Sequence, residues 1–117
     1  MADQARIVHF EVTGKDQAAL QDYYSKLFGW KLDTNHPGGY GMTDPAATGL
    51  IVGIGGTPDG SAGFVTGYIT VTDINATLAK ATELGGHTIM PKFSPDGNAQ
   101  LALVADPEGH VLGITEM

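Results

Sequence analysis

The chain has 117 residues, 42% hydrophobic and 16% charged, which fits one folded domain or two half-size modules sharing a core, and excludes a disordered segment. Thirteen acidic against six basic residues give a formal net charge of −7, which argues against nucleic acid and anionic membrane as partners, because phosphate binding needs clustered Lys and Arg. Cysteine is absent, so disulfides and thiolate chemistry are excluded, and no stretch approaches the roughly 18 apolar residues of a membrane helix. The opening Met1-Ala2-Asp3-Gln4-Ala5-Arg6 lacks the basic and apolar regions of a signal peptide, so a cytoplasmic location is the expectation.

In chain order, Arg6 to Thr13 alternates, with Val8, Phe10 and Val12 on one side and Ile7, His9 and Glu11 on the other, which predicts a strand. From Asp16 to Leu27 the period changes: Leu20, Tyr23, Tyr24 and Leu27 fall at helical spacing, and Gly29 closes an amphipathic helix. Trp30 to Asp33 reads as a short strand and Asn35-His36-Pro37-Gly38-Gly39 as a turn. Tyr40 to Thr43 and Leu50 to Ile54 are further strands, separated by Asp44-Pro45-Ala46-Ala47. A Gly-rich linker follows, at 56–63.

The second half repeats this plan. Tyr68 to Thr72 is a strand with Ile69 and Val71 on its apolar face, and Asp73 caps a helix running to Leu84, with Ile74, Leu78 and Ala81 as its inner stripe. Gly85-Gly86 stops that helix; His87 to Met90, Gln100 to Ala105 and His110 to Thr115 extend. Val8-His9-Phe10-Glu11-Val12 is echoed by Gly67-Tyr68-Ile69-Thr70-Val71, Asp44-Pro45 by Asp106-Pro107, and Ile51-Val52-Gly53-Ile54 by Val111-Leu112-Gly113-Ile114. A repeat of this length means two copies of one β-α-β-β-β unit. The predicted fold is therefore α+β, a single domain over 1–117, with a first module at 5–55 and a second at 64–117. Each module alone is marginal in size, so fusion or dimerisation is expected.

Packing follows from the alternation. The helices' apolar stripes are expected to cover the Val8/Phe10/Val12 and Ile69/Val71 faces. The opposite faces, with Ile7, His9 and Glu11 in one module and Tyr68, Thr70 and Thr72 in the other, are too polar for a helix-packing core. Sheets curling with those faces inward form a curved, cup-like mixed sheet, the shape of a small-molecule site.

Several segments together resemble the vicinal oxygen chelate superfamily of glyoxalase I, extradiol dioxygenases, fosfomycin-resistance transferases and bleomycin-resistance proteins. They are the paired modules, Tyr24-Ser25-Lys26-Leu27-Phe28-Gly29-Trp30, Leu84-Gly85-Gly86-His87, and the closing Asp106-Pro107-Glu108-Gly109-His110-Val111-Leu112-Gly113-Ile114. The resemblance implies a divalent ion, in the metal-dependent members, held by a His or Gln from each module's first strand and a Glu from each module's last. Neutral imidazole and carboxylate suit first-row metals, and open positions bind vicinal substrate oxygens. In this chain His9 matches the first position, but Tyr68 stands at its counterpart and both carboxylate positions fall on Gly53 and Gly113. Glu116, three residues beyond Gly113, points to the opposite face and is no substitute.

The residues singled out as lining the site are His9, Glu11, Tyr40, Gly53, Tyr68, Thr70, Phe93 and Gly113. His9 and Glu11 are the candidates for acid-base chemistry, since imidazole titrates near pH 6.5 and alternate strand residues share a face; the bland reading makes both solvated polar residues. A rebuilt metal site on His9 and Glu11 needs a third ligand, for which His36 is the nearby choice. Tyr68 stacks on a flat ligand or fills the core. Tyr40 and Phe93 lie where loops close over the cup, as ligand walls or loop anchors. Trp30 is read as a core anchor, and His87 and His110 as exposed turn residues.

The expectation is a metal-independent small-molecule binding protein, in the manner of bleomycin-resistance and related sequestering members, with no cofactor and a neutral or cationic organic ligand. Antibiotic resistance is the corresponding role. The alternative is a lyase, isomerase or dioxygenase using His9 and Glu11, with or without a divalent metal. A homodimer is expected.

Overall fold

The computed structural model describes residues 4–116. The chain divides into two compact units, one of His9–Thr66 and one joining the residues ahead of His9 to those from Gly67 onward. Both mix helix with a mixed sheet, so the class is α+β. Among the described residues no helix is long and apolar enough to cross a membrane.

The first unit is built from β1 (Ile7–Gly14) from His9 onward, α1 (Gln17–Phe28), a 3-10 turn at Pro37–Gly39, β2 (Gly41–Met42), a short α2 (Pro45–Thr48) and β3 (Ile51–Gly56). β3 pairs parallel with β1 and antiparallel with β2. The Asp16 carboxylate caps α1 by accepting from Ala19 N–H at 3.0 Å, and Gly29 ends it in the left-handed region at φ 72°, which a side chain would strain. Two expectations change. The strand predicted over Trp30 to Asp33 is a single bridge between Asp33 and Met42, and the stretch after Asp44 winds into α2, because Asp44 accepts from Ala46 N–H and Pro45 suits a first helical position.

α1 sits differently from its apolar stripe. Tyr23 and Leu27 stay 58% and 55% exposed, while Gln17, Leu20, Gln21 and Tyr24 are half-buried. α1 packs on β3, whose glycines leave backbone groups open to a polar helix face. Gln21 Nε2 donates to Ile54 O at 2.9 Å, and Gly56 N–H donates to Gln17 Oε1 at 3.0 Å. Of the face it was expected to cover, Val12 is buried, Val8 half-buried and Phe10 39% exposed. The predicted linker starts later and is tied down: β3 runs through Gly56, Thr57 N–H donates to Gly14 O at 3.0 Å, and Thr13 N–H donates to Phe64 O at 3.0 Å.

The second unit holds β4 (Val65–Val71) from Gly67 onward, α3 (Ile74–Glu83), β5 (His87–Phe93), β6 (Leu101–Ala105) and β7 (Val111–Glu116), with strands in the order β4-β7-β6-β5. β4 and β7 are parallel and the other pairs antiparallel, so each unit joins its first strand to its last in the same sense. Here the expected stripe holds. Ile74 and Leu78 pack on Ala102 and Ile114, with Ile69, Val71 and Val104 around them, and Ala81 is half-buried. Phe93 proves to be the last residue of β5, opposite Leu101, instead of a loop residue.

Candidate functional site

On β1, His9 and Glu11 share the face turned away from Val12, as alternation requires. Tyr40 lies across them. Its hydroxyl donates to Glu11 Oε2 at 2.7 Å and is hydrogen-bonded to His9 Nε2 at 2.9 Å, with the two rings tilted by 33°. The phenol has room because β3 has no side chain beneath it. A Cβ on Gly53 would overlap the Tyr40 hydroxyl and lie 2.5 Å from His9 Nε2, and one on Gly55 would lie 2.6 Å from Tyr40 Cδ1. Burial lowers the His9 pKa from 6.5 to about 4, so the imidazole is neutral at neutral pH.

Tyr40 is delivered by the turn before it. Gln17 Nε2 donates to Gly38 O at 2.9 Å and Gln21 Nε2 to Gly39 O at 3.0 Å, so α1 grips the Pro37–Gly39 turn from below. Gly38 and Gly39 adopt φ 70° and 78°, which the turn requires and side chains resist. β2 then pairs Gly41 with Ile54 and Met42 with Gly53, anchoring the chain beyond Tyr40. Gln17, Gln21 and Gly55 thus belong to the site's support and were not legible in advance, since the glutamines' partners lie 18 to 39 residues away and Gly55 acts by leaving room for Tyr40.

This geometry does not fit the metal set implied by the resemblance. Of the two ligand positions in this unit, His9 is present, but its Nε2 is engaged with Tyr40, and the space a side chain at Gly53 would need is filled by the phenol. Among the described residues no group of three or more His, Asp or Glu could hold an ion. His36, the third ligand of a rebuilt site, is instead 3.6 Å from Asp33.

In the second unit Tyr68, Thr70, Gly113 and Phe93 share the face opposite α3. Register places Tyr68, Gly113 and Leu103 in one row, and Thr70, Thr115, Leu101 and Phe93 in the next. Tyr68 is buried, and a Cβ on Gly113 would lie 2.7 Å from its ring at Cγ. Thr70 Oγ1 is buried and has no hydrogen-bond partner among the described residues. Register also separates the two repeats: Gly53 stands opposite Glu11, whereas Gly113 stands opposite Tyr68. The sequence repeat had matched Tyr68 to His9, two residues from Glu11; an even offset leaves the face unchanged.

Trp30 packs on Phe28 and Tyr24, with centroids at 5.0 and 6.0 Å. His87 and His110 are exposed, and His110 Nδ1 is 2.9 Å from Asp106 Oδ2 within the closing turn. Glu116 does face away from the Gly113 side: its carboxylate accepts from Ile74 N–H at 2.8 Å and pairs with Lys92 at 3.2 Å.

Residues 6–114 match the description Glyoxalase/Bleomycin resistance protein/Dioxygenase superfamily. CFP32 of Mycobacterium bovis, named as a candidate glyoxylase, is 32% identical over 106 residues, covering 85% of this chain and 41% of that protein. The anthracycline biosynthesis protein DauV of Streptomyces is 27% identical over 122 residues, covering 90% of this chain and 44% of that protein. The chain therefore spans less than half the length of these curated relatives. A superfamily member from Vibrio splendidus shares the fold at a TM-score of 0.65 and 18% identity, covering 97% of this chain and all of that one. The chain belongs to the glyoxalase/bleomycin-resistance/dioxygenase group, the vicinal oxygen chelate superfamily.

Proposed function

We propose that this chain binds a small organic molecule on the His9–Glu11–Tyr40 face without a divalent ion. The observation that carries the reading is the seat of Tyr40. Its phenol stands where a carboxylate side chain at Gly53 would begin, and its hydroxyl ties up His9 Nε2. A phenol, a neutral imidazole and a carboxylate together make a polar, hydrogen-bonding surface suited to an uncharged or cationic ligand, in keeping with the net charge of −7. Nucleic acid and anionic membrane do not suit that charge. The names of the family and of the DauV relative suggest bleomycin and an anthracycline as first probes.

The deciding experiment is the elemental analysis of purified protein after exposure to first-row divalent metals, with bleomycin and anthracycline titrations alongside. The expected result is substoichiometric metal, and probe binding weakened at least several-fold in Tyr40→Ala. One tightly held metal per chain, lost in His9→Ala, overturns the reading.

An enzymatic reading is favoured by one specific observation, the continuous hydrogen-bonded path from Glu11 through Tyr40 to His9. In this reading the chain is a lyase, isomerase or dioxygenase in which His9 exchanges a proton with the substrate. It predicts turnover that is abolished in both His9→Ala and Glu11→Ala. As part of either reading two copies associate, since Tyr23, Leu27, Phe28 and Leu84 expose large apolar side chains, and the cytoplasm is the proposed setting.

A further inference from the structure

We infer that the second unit carries a ligand contact of its own. The Thr70 hydroxyl, on a half-open row of the sheet, hydrogen-bonds one O–H or C=O group of an uncharged aromatic molecule lying along that row. This contact is built from the second unit alone and goes beyond the reading of the His9–Glu11–Tyr40 face.

The starting observation is a polar atom kept at a loss. Thr70 Oγ1 and Ser94 Oγ are buried and without a hydrogen-bond partner among the described residues. Ser94 lies beyond the end of β5, whereas Thr70 sits inside β4. A buried hydroxyl that bonds nothing gives up its bonds to water for no return, which lowers the folding equilibrium about tenfold. Valine has nearly the same shape, suits a strand and carries no such loss. Groups that weaken the fold locally without a structural return are characteristic of binding positions.

The surroundings define the ligand. Thr70, Thr115, Leu101 and Phe93 form one row across four strands, and all four are half-buried, whereas Tyr68, Gly113 and Leu103 in the adjoining row are buried. The face is therefore open along the Thr70 row. Four strands span about 14 Å, enough for a fused two-ring aromatic. Neither row holds a charged residue. Lys92 and Glu116, the charged neighbours of Phe93 and Thr115, pair with each other at 3.2 Å, and Glu116 also accepts from Ile74 N–H on the α3 side. An ionic ligand would find no counter-charge here, and an uncharged one loses nothing.

The side chain has the freedom that this contact needs. Thr70 N–H donates to Arg6 O at 2.9 Å and Thr70 pairs with Thr115, so its backbone is held on both sides. The residue is half-buried although its hydroxyl is wholly buried, so its exposure lies on other atoms. A turn of about 120° in χ1 leads from one staggered state to another and exchanges the hydroxyl with another substituent on Cβ. That turn presents the hydroxyl to the row and leaves an apolar group in the dry position. A hydroxyl both donates and accepts, so it serves a ligand alcohol, phenol or carbonyl.

The test pairs two probes, 2-naphthol and naphthalene, which differ by one hydroxyl. Both are titrated into labelled protein while the amide resonances of Thr70, Thr115, Leu101 and Phe93 are followed. In the wild type 2-naphthol should shift these four resonances. Thr70→Val should weaken 2-naphthol about five- to tenfold while leaving naphthalene unaffected, and should raise the folding equilibrium in urea about tenfold. Thr70→Ser keeps the hydroxyl and should keep the affinity for 2-naphthol. A Thr70→Val protein that is unfolded, less stable or unchanged in stability shows a hydroxyl already satisfied, as by an internal water, and overturns the inference. So does 2-naphthol that leaves these resonances unmoved up to its solubility limit, or that binds Thr70→Val as tightly as wild type. Neither metal content nor bleomycin or anthracycline binding enters the test, so the reading of the first unit stands or falls separately.

Discussion

Two glycines, Gly53 and Gly113, each stand where a side chain would collide with a tyrosine of the same unit. In the first unit this makes a specific interlock. Gly53→Ala must push Tyr40 off His9, and overpacking of this kind costs about 1–3 kcal/mol. Tyr40→Ala removes the obstacle, so the double variant should be less destabilised than the two single effects added together, with a coupling of roughly 0.5–3 kcal/mol. Urea unfolding of the four proteins measures this; simple additivity would show that the phenol does not occupy the Gly53 site. His9 adds a pH dependence. Its folded pKa, about 4, is below the unfolded value of 6.5, so between these values the unfolded chain binds more protons and stability rises with pH. On acidification the loss begins near pH 6.5 and is complete below about pH 4, reaching up to about 3 kcal/mol. The drop in unfolding free energy between about pH 7 and about pH 4.5 should be smaller in His9→Asn by most of that amount; an unchanged drop would mean His9 titrates normally. Alternation alone puts His9 and Glu11 on one face. It is silent on Tyr40, which comes from a turn 29 and 31 positions away.

At the scale of elements, the two helices differ in how far their patterns can be read. α3 has its apolar residues where the core needs them, and Ile74 and Leu78 are buried as their spacing predicts. α1 does not, because its neighbour β3 is rich in glycine and presents backbone oxygen and nitrogen where an ordinary strand would present methyl groups. Gln17 and Gln21 answer those groups, and the helix turns its Tyr23 and Leu27 outward. Gln21→Ala removes the two side-chain hydrogen bonds to Gly39 O and Ile54 O, and should cost about 1–3 kcal/mol. Leu27→Ala, at an exposed position, should stay within about 0.5 kcal/mol of wild type. Thermal or chemical unfolding ranks the pair; the reverse order would restore the stripe that the hydrophobic spacing suggests. Gln21→Ala should also loosen the turn that delivers Tyr40, and so weaken probe binding without touching the probe.

For the whole molecule, the repeat, the acidic balance and the absence of cysteine are properties of the chain as a string. Association of two copies is proposed from exposed apolar residues and from relatives more than twice the length of the matched region. Sedimentation velocity should give twice the mass of one chain, and a single-chain mass at micromolar concentration would set the proposal aside. Residue types and their spacing were enough to give the α+β class, the faces of β1 and β4, and the want of carboxylates at Gly53 and Gly113. These are local matters, decided by residue type and by periods of two and 3.6. What replaces the carboxylate at Gly53 emerges from long-range contacts alone. The path from α1 through the Pro37–Gly39 turn carries no period, and its course depends on glutamine and glycine contacts between distant segments. Tyr40 reaches His9 because that path folds back across β3, and a pattern of neighbours in sequence cannot encode such a contact.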